Sequence, residues 1–346
     1  MRSAWVTVCA AALAGALARA QPPASHRIIV DTDFALPPQD DGLALAFALN
    51  SPELDIVGIT TVAGNFNLAR ANADVLRMLE IAGRTDIAVH PGASHPLVHE
   101  KDAFATTHYG RWWSDEPPPA PPGGFATKTL DSEPAADFMA RAVLGAPGDI
   151  EIVAIGPLTN VATAIRRSPG FAKAVKRLTI MGGALATLPD GAGNMTPNAE
   201  FNFWVDPEAA RLVLRSGIPI ELSPLNVSRR TLFDRASYDR LVASPGAFSA
   251  MIAARMGPRY ARDASFHPHM YDEVALASLV DPTLVKTRRM IVDVDAAPGI
   301  NYGVSVGSTQ TWPGAEGARE MNVQYDIDDA RFMRLFVERV GRPARR

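Results

Sequence analysis

Short apolar runs alternate with segments of helical period along most of this chain, and that alternation leaves few architectures open. His26–Val30 reads as a short buried strand running into acidic residues, Asp41–Leu49 as a helix rich in Ala and Leu, and Leu54–Val62 as the next strand. Leu68–Ala82 places Ala71, Val75, Met78 and Leu79 on one helical face, and Ile87–Val89 is a further short strand. A second series follows: helix Ser132–Leu144, strand Ile150–Ile155, helix Leu158–Arg166, strand Leu178–Met181, helix Pro207–Arg215 capped by Asp206, and strand Ile218–Leu225. A last helix covers Ala330–Val340. The pattern predicts an α/β fold, a single domain with a mainly parallel central sheet and helices on both faces. In such sheets a ligand sits beyond the carboxyl ends of the strands. The proline-rich stretch Glu116–Gly124 interrupts the pattern, which resumes after it, so it reads as a stiff surface excursion and not as a domain boundary.

The first twenty residues stand apart. Arg2 precedes an apolar stretch from Ala4 to Leu17, and Ala18-Arg19-Ala20 has the small-x-small form of a cleavage site. The segment reads as an export signal, too short to span a bilayer comfortably. The expectation is a mature chain of residues 21–346, exported to a periplasm or outside the cell, with no membrane anchor. The only cysteine, Cys9, lies inside that segment. A chain without it has no cysteine nucleophile, zinc–thiolate site or iron–sulfur cluster. The formal charge of −3 gives no electrostatic case for gripping nucleic acid.

Three polar clusters carry the chemistry. Asp31, Asp33, Asp40 and Asp41 crowd into one strand-end loop. Carboxylates so close repel one another unless a cation neutralises them, and a hard one, calcium or magnesium, suits an all-oxygen set; the alternative is a solvated acidic turn. Asn194, Asn198, Glu200 and Asn202, interleaved with Phe201, Phe203 and Trp204, suit a polyhydroxylated ligand lying on an apolar platform. Asp272 follows His267, His269 and Tyr271 and opens an apolar helix, as an N-cap or as a ligand facing the site.

The stretches IIVDTD, QDDGLALAFAL, GITTVAGN, AIGPLTN, MGG, GNMTPNAEFNFWVDPEAA and YDEVALA occur in the order found in nucleoside hydrolases, and the chain resembles that family from about Ile28 to Asp281. The resemblance implies a Rossmann-like core and calcium (Ca2+)-dependent cleavage of the bond between ribose and base. It implies that Asp33, Asp41 and Asp272 bind the ion through side chains and Thr159 through its backbone carbonyl. Asp33 would also take the proton of the attacking water. Asp40, Asn194, Glu200 and Asn202 would hold the ribose hydroxyls, with Asn65 facing the reaction centre. It implies a homodimer or homotetramer, and a nucleoside as the partner molecule.

Two departures from the family pattern stand out. The spacer Phe34–Gln39 between Asp33 and Asp40 is three residues longer than the family's Pro-Gly-x and lacks its Pro-Gly. It either bulges outward or displaces Asp33 from the ion. Tyr271 stands where inosine–uridine-preferring members carry the histidine that serves the leaving base, and an aromatic there resembles the purine-preferring branch. A phenol with a pKa of about 10 is a poor acid, so stacking of the base by Tyr271, Trp112, Trp113 or Trp204 is the expected aid to departure. Two other readings compete. One is a haloacid-dehalogenase-like phosphatase with Asp31 as nucleophile, which leaves Asp40, Asp41 and the Asn-rich loop without a role. The other is a secreted nucleoside- or sugar-binding protein without turnover.

Overall fold

The computed structural model describes residues 26–263 and 265–343. The proposed leader, residues 1–20, lies outside them. Among the described residues nine strands form one sheet: β1 His26–Thr32, β2 Leu54–Thr61, β3 Val89–Pro91, β4 Ile150–Ala154, β5 Arg177–Met181, β6 Ile220–Ser223, β7 Val285–Val294, β8 Ser305–Ser308 and β9 Arg319–Ile327. Their order is β3-β2-β1-β4-β5-β6-β9-β7-β8. All pairs from β3 to β9 are parallel, while β7 runs antiparallel to both β9 and β8. Among the described residues no helix is long and apolar enough to cross a membrane.

Alternation along β1 divides the interior in two. Ile28 and Val30 join Leu43, Phe47, Val274 and Leu276 on one face of the sheet, and Ile29 joins Phe138, Ile152, Val161 and Leu178 on the other. Helices therefore cover both faces, as the alternation predicts. The antiparallel edge, β7 to β9, has no counterpart among the expected strands. Lys286–Arg289 points largely to solvent, and the strands are held there by pairs such as Lys286–Asp326 and Arg289–Glu320, not by an apolar run.

The sheet order also locates the crevice. After β1 the chain crosses to β2 on one side, and β4 returns on the other, so the order reverses between β1 and β4. Neighbouring crossovers diverge at such a point and leave an opening at the carboxyl ends. Asp31 and Asp33 lie at that end of β1, and Ile155 and Gly156 at that end of β4.

At the opposite end of β4, the buried carboxylate of Glu151 meets His26 Nδ1 and Lys176 Nζ at 2.9 Å each and Arg177 Nη2 at 2.6 Å. Burial alone would raise its pKa, yet these partners hold it down to about 2. Its stabilising contribution is therefore complete above its ordinary value of 4.5 and is lost as pH falls from there towards 2. Glu151→Gln is expected to lower unfolding free energy by about 2–3 kcal/mol near neutral pH, with the difference closing below about pH 3. Urea unfolding at pH 7 and pH 3 measures it; an equal deficit at both values would contradict the ion-pair account.

Candidate active site

Asp31 and Asp33 sit two residues apart at the end of β1 but face different surroundings. Asp31 is enclosed: its Oδ1 accepts from Thr60 Oγ1 at 2.7 Å and Asn160 Nδ2 at 2.8 Å, and burial pushes its pKa up to about 6 against those donors. It lines no cavity with its neighbour. Asp33 does, on a cavity of about 590 Å³ that also contains Asp40, Asp41, Asn65, Asn194, Glu200, Asn202, Tyr271 and Asp272. That size suits a small molecule. Asp33 Oδ2 accepts the Asn65 N–H at 2.6 Å. Two glycines hold it in place: a Cβ on Gly64 would stand 2.1 Å from Asp33 Oδ2, and one on Gly156 would stand 2.7 Å from Oδ1. Burial, opposed by the Asn65 N–H and reinforced by the charges of Asp40 and Glu200, pushes Asp33 up to about 8.

The long spacer neither bulges outward nor carries Asp33 off the cavity wall. Phe34, Ala35 and Leu36 are 0–2 % exposed and pack into the interior. The Leu36 N–H donates to Asp74 Oδ2 at 3.4 Å and Arg255 Nε to the Pro37 carbonyl. The turn returns the chain as Asp40 and Asp41, which open the helix Asp40–Leu49.

That helix packs beside the helix Asp272–Val280, and their first turns meet. Asp40, Asp41 and Asp272 each offer a carboxylate oxygen within 4.8 Å of the other two. Burial pushes all three pKa values up, and mutual repulsion adds to this at Asp41 and Asp272. Asp41 is further fixed by Thr32 Oγ1, which donates to Oδ1, and by Asn65 Nδ2, which donates to Oδ2 at 2.7 Å. A relay continues outward: Tyr109 hydroxyl donates to Asn65 Oδ1, and Gln39 Nε2 donates to the Tyr109 oxygen. Three converging carboxylates, without sulfur or imidazole among them, fit a hard divalent cation, which would remove the repulsion that otherwise drives protonation.

The hydroxyl-binding wall is built from a helix start. Glu200 caps the short helix Phe201–Val205, with Oε1 accepting the Asn202 N–H at 2.8 Å and Oε2 those of Gly183 and Phe203 at 2.9 and 3.0 Å. Burial raises its pKa in spite of these donors. Asn194 Oδ1 accepts the Phe201 N–H at 2.8 Å, which leaves its Nδ2 for a ligand. Asn202 Nδ2 donates to the carbonyls of Ile155 and Met181 at 3.3 and 3.2 Å.

Thr159 and Trp204 depart from expectation. Thr159 does not line the cavity; it opens the helix Thr159–Arg167, its carbonyl accepts from Thr163 Oγ1 at 2.7 Å and its hydroxyl donates to Asp206 at 2.6 Å. The carbonyl at the end of β4 beside the cavity is that of Ile155, which precedes the helix. Trp204 is 4 % exposed and packs against His99 and Phe104, outside the site. A helix turns about 100° per residue, so Trp204 projects about 200° away from Asn202, which lines the cavity. Trp112 and Trp113 also lie elsewhere, with His99 and Ala105. The aromatic side chains at the cavity are Tyr109, Phe201, Phe266 and Tyr271. Gln39, Tyr109, His267 and His269 also line the cavity, from loop positions that carry no periodic signal.

Oxygen donors for a cation at the strand-order reversal, beside amides and a carboxylate suited to hydroxyl groups, define a glycosidase of α/β architecture. The chain belongs to the inosine-uridine preferring nucleoside hydrolase family, whose model matches residues 28–334. It is an N-glycosyl hydrolase acting on ribonucleosides, and this overturns the phosphatase reading of Asp31. A pyrimidine-specific ribonucleoside hydrolase, RihA of Citrobacter koseri, is 34% identical over 319 residues, covering 91% of this chain and 97% of that protein. The structure of a plant nucleoside hydrolase superposes with a TM-score of 0.78 at 30% identity, covering 93% of this chain and all of that one. A purine-preferring ribonucleoside hydrolase from Gardnerella vaginalis superposes with a TM-score of 0.73 at 26% identity, covering 91% and 98%.

Proposed function

We propose that the protein hydrolyses purine ribonucleosides to ribose and free base with calcium as its cofactor. The convergence of Asp40, Asp41 and Asp272 in the cavity that holds Glu200 and Asn202 carries this reading. Calcium accepts six to eight oxygen ligands in irregular geometry, which suits side chains drawn from two helix starts and a strand end. When bound, calcium supplies the positive charge that acidifies a water at neutral pH.

The remaining work falls to the chain itself. Asp33, held by the Asn65 N–H and two glycines, accepts the proton of the attacking water. Asp41 and Asp272, with Asp33, ligate the ion, and the carbonyl of Ile155 is better placed than that of Thr159 to join them. Asp40 belongs to the same triad, so the ribose hydroxyl it accepts from lies beside the ion. Glu200, Asn194 and Asn202 hold the other ribose hydroxyls and surround the developing ribosyl cation with negative potential. Tyr271, with Tyr109 and Phe201, gives the base an aromatic wall, which supports a purine preference. We further propose export with loss of residues 1–20, and a homodimeric or homotetrameric enzyme.

Free ribose released from a panel of purine and pyrimidine nucleosides, with and without a calcium chelator, tests the reading. The expected result is fastest release from a purine nucleoside, lost with chelator and restored by excess calcium, and no hydrolysis of a simple phosphomonoester. Faster release from uridine would refute the base preference. Tight binding of nucleosides without release of base would instead favour the binding-protein reading.

A further inference from the structure

Cleavage of the ribose–base bond pushes an electron pair onto the base, which departs far more readily once protonated. Tyr271 is a weak source of that proton, because a phenol with an ordinary pKa of about 10 gives it up reluctantly at neutral pH. Two imidazoles line the same cavity, those of His267 and His269. His267 is exposed, whereas His269 is half-buried and anchored. Its Nδ1 lies 2.8 Å from the Thr231 carbonyl oxygen. A carbonyl only accepts, so Nδ1 carries a hydrogen, and Nε2 is left as the nitrogen that gains and loses a proton.

The anchor is itself fixed. Thr231 is buried, and its hydroxyl donates to the Ser228 carbonyl at 2.7 Å while accepting the Met270 N–H at 2.8 Å. The Phe233 N–H donates to the Pro268 carbonyl at 3.0 Å. Residues 268–270 are thus bound on both sides of the imidazole to the turn that carries the buried Thr231 and Phe233. The His269 ring meets Tyr271 edge to face, with centroids 6.1 Å apart, which places it beside the aromatic wall assigned to the base.

We propose that His269 is the general acid that protonates the leaving base. The assignment rests on the nucleoside hydrolase reading given above. Protonated Nε2 gives its hydrogen to a basic ring atom of the nucleobase as the C1′–N bond breaks and its electron pair passes to the base. Water adds its oxygen to C1′ and loses a proton to Asp33. The neutral base and ribose leave, Asp33 returns its proton to solvent, and His269 takes one up, so the sum is one water consumed per bond cleaved.

His269→Gln and His269→Asn, the second retaining a short amide donor for the Thr231 carbonyl, are assayed on inosine and on p-nitrophenyl riboside. The nitrophenolate departs without a proton, so its release also reports that the site is intact. The expected result is a fall in kcat/KM on inosine of about 10²–10⁴-fold in both variants, with nitrophenyl riboside turnover within about threefold of the parent. Inosine turnover within about threefold of the parent overturns the assignment, and so does an equal loss on both substrates. A parent enzyme that cleaves neither riboside overturns the nucleoside hydrolase reading along with it. A parent active on both, paired with unaffected variants, overturns the role of His269 alone.

Discussion

Replacing Asp41 with asparagine is expected to lower nucleoside turnover by about 10³-fold or more, because several kcal/mol of electrostatic stabilisation would depend on the ion this carboxylate is proposed to hold. The same change has the opposite effect on the metal-free fold. Asp41 is fully buried beside Asp33, Asp40 and Asp272, and burial and like charge raise its pKa together. An amide of equal shape removes one member of that repelling group while keeping an oxygen for Thr32 or Asn65. In the presence of chelator the variant should therefore melt no lower than the parent. Calorimetric titration with calcium should show weakened binding. A ligand produces this divided outcome, whereas a residue needed only for packing loses activity and stability together. Turnover within about tenfold of the parent would remove Asp41 from the ion site.

Gly64→Ala is expected to cost at least about 10²-fold in kcat with the fold intact, because displacement of a reacting group by about 1 Å is enough for that loss. The added methyl would lie 2.1 Å from Asp33 Oδ2 and 2.7 Å from its Cβ and Cγ. Asp33 cannot yield towards β4, since Gly156 is packed against its Oδ1 and N–H from that side. Gly64 is not among the positive-φ glycines, so alanine meets no backbone strain there and the burden falls on the Asp33 side chain. Circular dichroism and thermal melting separate the outcomes: unchanged melting with lost turnover supports the cradle, and near-parental kcat would contradict it.

The parallel half of the sheet was legible because its strands are apolar runs between helices of clear period, as in Ile28–Val30 and Ile150–Ile155. The antiparallel edge was not, because Lys286–Arg289 and Glu320 stabilise it through charged pairs on a solvated face. Nine of the expected site residues, from Asp33 to Asp272, line one cavity, since acidic and amide groups gathered at strand ends have little use elsewhere. Thr159 lies a few residues beyond the cavity at a strand–helix junction, where Ile155 is the residue at the wall, and a backbone carbonyl leaves no side-chain signal in the sequence. Trp204 failed because proximity in sequence to Asn202 does not survive two steps of helical rotation. Tyr109 and His269 reach the cavity from loops without periodicity, and only three-dimensional hydrogen bonding distinguishes them from surface residues.

The inward course of Phe34–Leu36 has one more consequence. Apolar residues of the acidic loop belong to the same interior as Phe47 and Leu276, so the loop cannot open without disturbing the cooperative unit to which the sheet belongs. A pocket tethered in this way keeps its shape before any ligand arrives, and little ordering entropy is lost when one binds.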